Sequence, residues 1–141
     1  MISKKLLLLL ALLLLFFTLG CEKEDNPVSP EDQVIGTWVL TKIIYTTPNG
    51  TIEFTPEAAS ISITLVINSD HTFSANVTQD DSTETIVGTW NVENGKVTIE
   101  STADVEPQVM DYSIEGDVLR MTINYTDDTG TQTVTLVFNK K

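Results

Sequence analysis

The chain has 141 residues, of which eight are lysine or arginine and 20 are aspartate or glutamate, so its formal net charge at pH 7 is −12. This length suits one modest domain. An acidic excess of this size repels the phosphates of nucleic acids, which excludes a nucleic-acid-binding protein. Cys21 is the only cysteine, so no disulfide within the chain can stabilise the domain.

The first segment of the chain has the layout of a secretory signal peptide. Lys4 and Lys5 precede an apolar run over residues 6–19, and the small residue Gly20 follows. A membrane-spanning helix needs about 20 apolar residues, so this run is short for a span. Residues 1–20 are therefore predicted to be a signal peptide that is removed, and an uncleaved anchor helix is the alternative.

The residues around the predicted cleavage site, Phe17-Thr18-Leu19-Gly20-Cys21, resemble the lipobox of bacterial lipoproteins. The resemblance implies cleavage before Cys21 and attachment of palmitate-type acyl chains to it. The membrane is then a partner of the protein through the lipid on Cys21. We expect a location in the cell envelope, anchored to the outer membrane, on either its periplasmic face or the cell surface.

Residues 21–33 are predicted to form a flexible, disordered tether. The segment from Glu22 to Gln33 holds two prolines, five acidic residues and one aliphatic residue, a composition that cannot build a core. The folded domain is expected to cover residues 34–141.

Beyond residue 33, apolar and polar residues alternate with a period of two, as in the row Ile61, Ile63, Leu65 and Ile67. This period places one row of side chains on each face of a half-buried strand. Turn residues separate the rows, and Asn94-Gly95 is a strong hairpin signal. Strands are predicted near residues 35–46, 51–55, 60–68, 72–79, 84–93, 96–102, 108–115, 118–126 and 131–139.

Short turns between successive strands favour an all-β, antiparallel up-and-down meander of eight or nine strands. Such a meander closes into a barrel and thereby removes its exposed edges. A sandwich is the alternative fold. It requires longer crossovers, for which only residues 55–60 and 102–108 offer enough chain.

Four short motifs resemble those of small bacterial lipocalin-like domains found behind lipoprotein signal peptides. They are Gly36-Thr37-Trp38, Asp70-His71-Thr72-Phe73, Gly88-Thr89-Trp90 and Asn94-Gly95. The resemblance spans most of residues 34–141 and implies a lipocalin-like barrel able to bind a small apolar molecule. The chain has no room for the C-terminal helix of larger lipocalins, and the role of their late-strand arginine is not transferred to Arg120.

No catalytic or metal-binding pattern accompanies these motifs. His71 is the single histidine and lies in a predicted turn, and no histidine or cysteine cluster with metal-ligand spacing occurs. The aspartate pairs Asp80-Asp81 and Asp127-Asp128 are typical of turns. The sequence therefore predicts a protein that is not an enzyme and needs no cofactor or metal.

Two functions remain open at this stage. The first is binding of a small apolar ligand inside the barrel; the second is an interaction module with a filled barrel that contacts another envelope protein. The simplest interpretation of both tryptophans is that they pack the core. If a ligand is bound, the expected lining consists of large inward side chains: Trp38, Ile63, Leu65, Phe73, Trp90, Met121 and Phe138.

Overall fold

The computed structural model describes residues 28–104, 106–128 and 130–141. The predicted signal peptide, Cys21 and the first part of the predicted tether lie outside the described residues. Within the described ranges, no helix is long and apolar enough to cross a membrane.

A short helix, α1 (Pro30–Val34), precedes the first strand. It occupies residues of the predicted tether, so regular structure begins earlier than predicted. The cause is a local helix-start signal: the Ser29 hydroxyl accepts a hydrogen bond from the Asp32 amide at 3.1 Å, and Pro30 stands at the first helical position. Val34 is buried at the end of the helix, which anchors this turn to the domain.

Nine antiparallel strands form the domain, and each predicted strand is present with its ends within two residues of the prediction. A 3₁₀ turn, Glu57–Ala59, lies between the second and third strands. The strands are β1 (Gly36–Thr47), β2 (Gly50–Phe54), β3 (Ile61–Ile67), β4 (Thr72–Gln79), β5 (Ser82–Glu93), β6 (Lys96–Ser101), β7 (Gln108–Glu115), β8 (Val118–Asp127) and β9 (Gly130–Lys140).

Eight of these strands close into a barrel, which confirms the predicted fold and resolves the alternative of a sandwich. Strands β3 to β9 pair with their chain neighbours, and β9 pairs with β1 from Thr133 to Lys140. The first half of β1 pairs with β3, which completes the ring. A shift in register between Leu40 and Lys42 marks a bulge in β1, a feature that bends strands at the rims of barrels.

β2 is an additional strand outside the closed ring. It pairs only with the second half of β1, from Ile43 to Thr47, because β3 occupies the same edge of β1 lower down. The second half of β1, together with the parts of β8 and β9 beside it, therefore forms a taller wall on one side of the barrel.

The barrel has two different ends. At one end, α1 lies under the barrel, where the carbonyl of Val34 accepts a hydrogen bond from the Trp38 indole at 2.7 Å. The turns β3–β4, β5–β6 and β7–β8 lie at this closed end. The connections β4–β5, β6–β7 and β8–β9 lie at the opposite, open end.

The motif Asp70-His71-Thr72 forms one of the closed-end turns. The Asp70 carboxylate accepts hydrogen bonds from the Thr72 hydroxyl at 2.5 Å and from the Thr72 amide at 3.0 Å. The hydroxyl and then the amide hold the pKa of Asp70 below its usual value. His71 adopts a positive φ of 64° and packs against Trp90, with ring centroids 5.1 Å apart. His71 therefore lies in a turn, as the sequence predicts.

Candidate ligand site

The barrel holds an apolar cavity of about 270 Å³ above its packed floor, and this cavity is open to solvent. Inward residues of β3 to β9 line most of it, because every second side chain of a barrel strand points inside. An engineered apolar cavity of about 150 Å³ binds benzene, so this one has space for a ligand of roughly ten non-hydrogen atoms. The complete lining is Ile63, Leu65, Phe73, Ala75, Val77, Ile86, Ile99, Ser101, Asp104, Gln108, Met110, Met121, Leu136 and Phe138.

Five of the seven residues that the sequence suggested for a ligand site come together around this cavity. They are Ile63, Leu65, Phe73, Met121 and Phe138. Four of the five are buried, and Ile63 is partly buried. Their side chains reach the cavity from four strands, so only the closed barrel brings them together.

Trp38 and Trp90 lie outside the cavity lining and pack the floor of the barrel instead. Trp38 is fully buried, and the Nζ of Lys140 lies 5.1 Å from its ring centroid. The Trp90 indole donates a hydrogen bond to the Asn68 carbonyl at 3.0 Å, in the β3–β4 turn. Both indoles are thus held at the closed end by backbone carbonyls, which agrees with the simpler interpretation that they are core residues.

The remaining apolar lining residues were not singled out from the sequence, although most belong to the same alternating rows. Ala75 and Val77 follow Phe73 along β4, and Leu136 precedes Phe138 along β9. The period-two pattern could have found them. Asp104 lies in an irregular connection, where no periodicity predicts which way a side chain points.

Polar groups are confined to the mouth of the cavity. Ser101 ends β6, Asp104 follows in the β6–β7 connection, and Gln108 begins β7. The Ser101 hydroxyl donates a hydrogen bond to Oδ2 of Asp104 at 2.8 Å and accepts one from the Asp104 amide at 3.1 Å. Asp104 and Gln108 are exposed, so the cavity reaches solvent between them.

A polar cluster lies above the cavity on the taller wall. The Tyr45 hydroxyl donates a hydrogen bond to Oε1 of Gln132, and Nε2 of Gln132 donates one to Asp127 at 2.6 Å. The register places Tyr125 beside Gln132. A hydrogen bond with Tyr45, followed by burial and nearby negative charge, raises the pKa of Tyr125. These bonds satisfy the side chain of Gln132, the one buried polar residue of the described chain.

A second, larger depression of about 500 Å³ lies on the outer surface and is lined by Glu57, Ser60, Ile61, Ser62, Thr78, Asp80 and Asp81. Five of these seven residues are exposed, and all but Ile61 are polar. Ligand sites are mostly apolar and concave, so the barrel interior is the better candidate despite its smaller volume. Among the described residues, no group of three or more histidine, cysteine, aspartate or glutamate side chains could hold a metal ion.

The domain is thus an antiparallel β-barrel that is closed at one end and holds an apolar cavity toward the other. The chain belongs to the lipocalin-like domain family, whose model matches residues 34–111. The family resemblance seen in the sequence motifs is thereby confirmed.

Among solved structures, the chain is similar to an uncharacterized protein from Bacteroides eggerthii DSM 20697, with 14% sequence identity and a TM-score of 0.47. That similarity covers 76% of this chain and 98% of the other. No curated protein matches the chain.

Proposed function

We propose that this protein is a lipid-anchored lipocalin-like lipoprotein of the cell envelope that binds a small apolar ligand inside the barrel. The observation that carries the proposal is the apolar cavity of about 270 Å³, whose polar groups are confined to its mouth. A pocket of this character is the usual form of a small-molecule site. Lipocalin-like proteins are generally binding proteins rather than enzymes, which supports binding over catalysis.

The anchor is the second part of the proposal, and it rests on the lipobox-like residues that end at Cys21. Two or three acyl chains make such an anchor durable, because each buried CH₂ contributes about 0.8 kcal/mol. Helix α1 packs at the closed end, so a tether from Cys21 joins the barrel opposite the mouth.

Native mass spectrometry of the protein isolated from its own host tests the binding function. We expect a stoichiometric extra mass that leaves on mild denaturation and that identifies the cargo. A bare mass in protein isolated without detergent contradicts a resident ligand and favours the alternative, an interaction module that contacts another envelope protein. Crosslinking in intact cells is the experiment that then identifies such a partner.

Filling the cavity tests where the ligand lies. Ala75 lines the cavity from the middle of β4, so Ala75→Phe is expected to occupy much of its volume and to weaken ligand binding at least tenfold, which corresponds to about 1.4 kcal/mol. Val87→Phe is the matched control, because Val87 is 45% exposed on the neighbouring strand β5 and adds the same ring outside the barrel. The measurement is calorimetric titration with the ligand that mass spectrometry identifies.

Equal affinity of the two variants excludes the barrel interior as the site. Because Ala75→Phe also risks overpacking, its fold is checked by far-UV circular dichroism, and the smaller change Ala75→Val is titrated alongside it. A graded loss from Ala to Val to Phe is the expected series.

Replacing Cys21 tests the anchor. Cys21→Ser is expected to abolish incorporation of a labelled palmitate analogue and to move the protein from the detergent phase to the aqueous phase in a phase-separation assay. Val28→Ala, outside the lipobox-like residues, is expected to behave as the unchanged protein. Retention of the label in Cys21→Ser contradicts lipidation at this residue.

A further inference from the structure

The charges at the open end of the barrel are all of one sign. Asp80 and Asp81 connect β4 to β5, Asp104 and Glu106 lie between β6 and β7, and Asp128 follows β8. None of the connections at this end contains lysine, arginine or histidine. Any ligand that enters the cavity therefore passes a negatively charged rim.

The five basic residues of the described ranges lie elsewhere. Lys42, Lys96 and Arg120 form ion pairs with carboxylates on neighbouring strands, with N–O distances of 2.8, 2.5 and 3.3 Å. Lys140 and Lys141 end the chain at the closed end, where their amides donate hydrogen bonds to carbonyls of the floor. No cation of the described chain is thus placed to neutralise an anionic head group at the mouth.

Among the described residues, Asp104 is the only charged one that lines the cavity itself. Its Oδ2 accepts the hydrogen bond from Ser101, and its Oδ1 accepts no hydrogen bond from the described part of the protein. An ammonium or hydroxyl group above the apolar lining can donate to this oxygen. A carboxylate at the same place faces a like charge, which disfavours it relative to an ammonium.

Building on the proposed function, we propose that the cavity selects amphiphiles with a cationic head group over those with an anionic one, and that Asp104 sets this preference. The apolar tail occupies the space between Phe73, Met121 and Leu136, and the head group stays at the mouth beside Asp104. The size of the cavity and the charge of its rim are independent observations. Together they define a small cationic amphiphile as the ligand class, with neutral amphiphiles bound less tightly.

Three ligands with the same eight-carbon chain test this preference: octylamine, octanol and octanoate. They have roughly ten non-hydrogen atoms each, which matches the capacity of the cavity. Titration calorimetry uses the mature protein in discs of neutral phospholipid, with empty discs as the reference. We expect octylamine to bind at least tenfold more tightly than octanoate, with octanol between them. The ratio is expected to fall as salt rises from about 0.01 M to about 1 M, because salt screens the exposed charge.

Asp104→Asn assigns the preference to one residue. It is expected to weaken octylamine binding about fivefold, or about 1 kcal/mol, and to leave octanol binding within about twofold of the unchanged protein. Asp117→Asn is the matched control: it removes the same charge in the β7–β8 turn at the closed end. It is expected to leave all three affinities unchanged.

The outcomes separate this inference from the proposed function. If none of the three ligands binds, the proposal of a ligand site inside the barrel is contradicted, and so is the charge preference that rests on it. If octanol binds and octylamine and octanoate bind equally well, the apolar site is supported and the charge preference is contradicted. A preference for octylamine over octanoate that is as large in Asp104→Asn as in the unchanged protein overturns the assignment to Asp104.

Discussion

Trp38→Ala is expected to destabilise the domain by about 3–5 kcal/mol, the range measured when a buried aromatic side chain is truncated. Trp38 has no exposed surface, and it lies where β1, β3 and β9 meet. The substitution leaves a cavity in the floor and removes the donor that the Val34 carbonyl uses at 2.7 Å. Small domains have a free energy of unfolding of about 5–15 kcal/mol, so the loss is a large fraction of the total.

Urea unfolding followed by far-UV circular dichroism measures this effect, because removing an indole alters the fluorescence signal itself. Trp38→Phe is expected to lose less, since it retains most of the apolar volume but not the hydrogen bond. Ile52→Ala is the surface control: Ile52 is 62% exposed on β2, outside the ring, and a change within about 0.5 kcal/mol is expected. A loss below about 1 kcal/mol in Trp38→Ala contradicts the role of the indole as the floor of the barrel.

Much of the fold could be predicted from the sequence because its physical signals are local. Alternating rows such as Ile61 to Ile67 identify strands, and turn residues such as Asn94-Gly95 mark where strands end. Closure of the barrel needs one further step of reasoning. A meander with short turns has an unpaired edge on its first and last strands, and the pairing of β1 with β9 removes both. That pairing joins residues about a hundred positions apart, and no local pattern specifies it.

Helix α1 shows where composition misleads. Prolines and acidic residues in the tether segment indicate disorder on average, yet Ser29-Pro30-Glu31-Asp32 is also a helix start. The buried neighbour of this helix is decisive, because Val34 and the Trp38 indole hold its last turn. Such a tertiary contact is visible only after the chain has folded.

Only part of the candidate site could be predicted from the sequence, because its position also depends on the folded barrel. Alternation identifies inward residues, but it does not separate a packed floor from an open cavity higher in the same barrel. Trp38 and Phe73 both point inward; one fills the floor and the other lines the cavity. The difference depends on which end α1 closes and on how the large side chains fill the interior, which are properties of the assembled barrel.

Gly88→Ala is expected to destabilise the domain by about 3 kcal/mol, the upper part of the usual range for overpacking. Gly88 pairs with Ser101 across β5 and β6, and a Cβ built on it lies 2.0 Å from the Glu100 carbonyl oxygen. Cβ atoms essentially never lie within 3.0 Å of another heavy atom in this way, so one of the two strands must move. The obstacle is backbone rather than a flexible side chain, and no change of rotamer relieves it.

Gly116→Ala is the matched control for this substitution. Gly116 adopts a positive φ of 59° in the β7–β8 turn, but no atom lies within 4 Å of an added Cβ. It should lose only about 1 kcal/mol, the usual penalty for a left-handed alanine. Urea unfolding compares the two variants, and a smaller loss at Gly88 than at Gly116 shows that β5 and β6 separate without penalty. The expected order instead means that the second Gly-Thr-Trp motif combines a glycine needed for close approach of two strands with an indole that packs the floor.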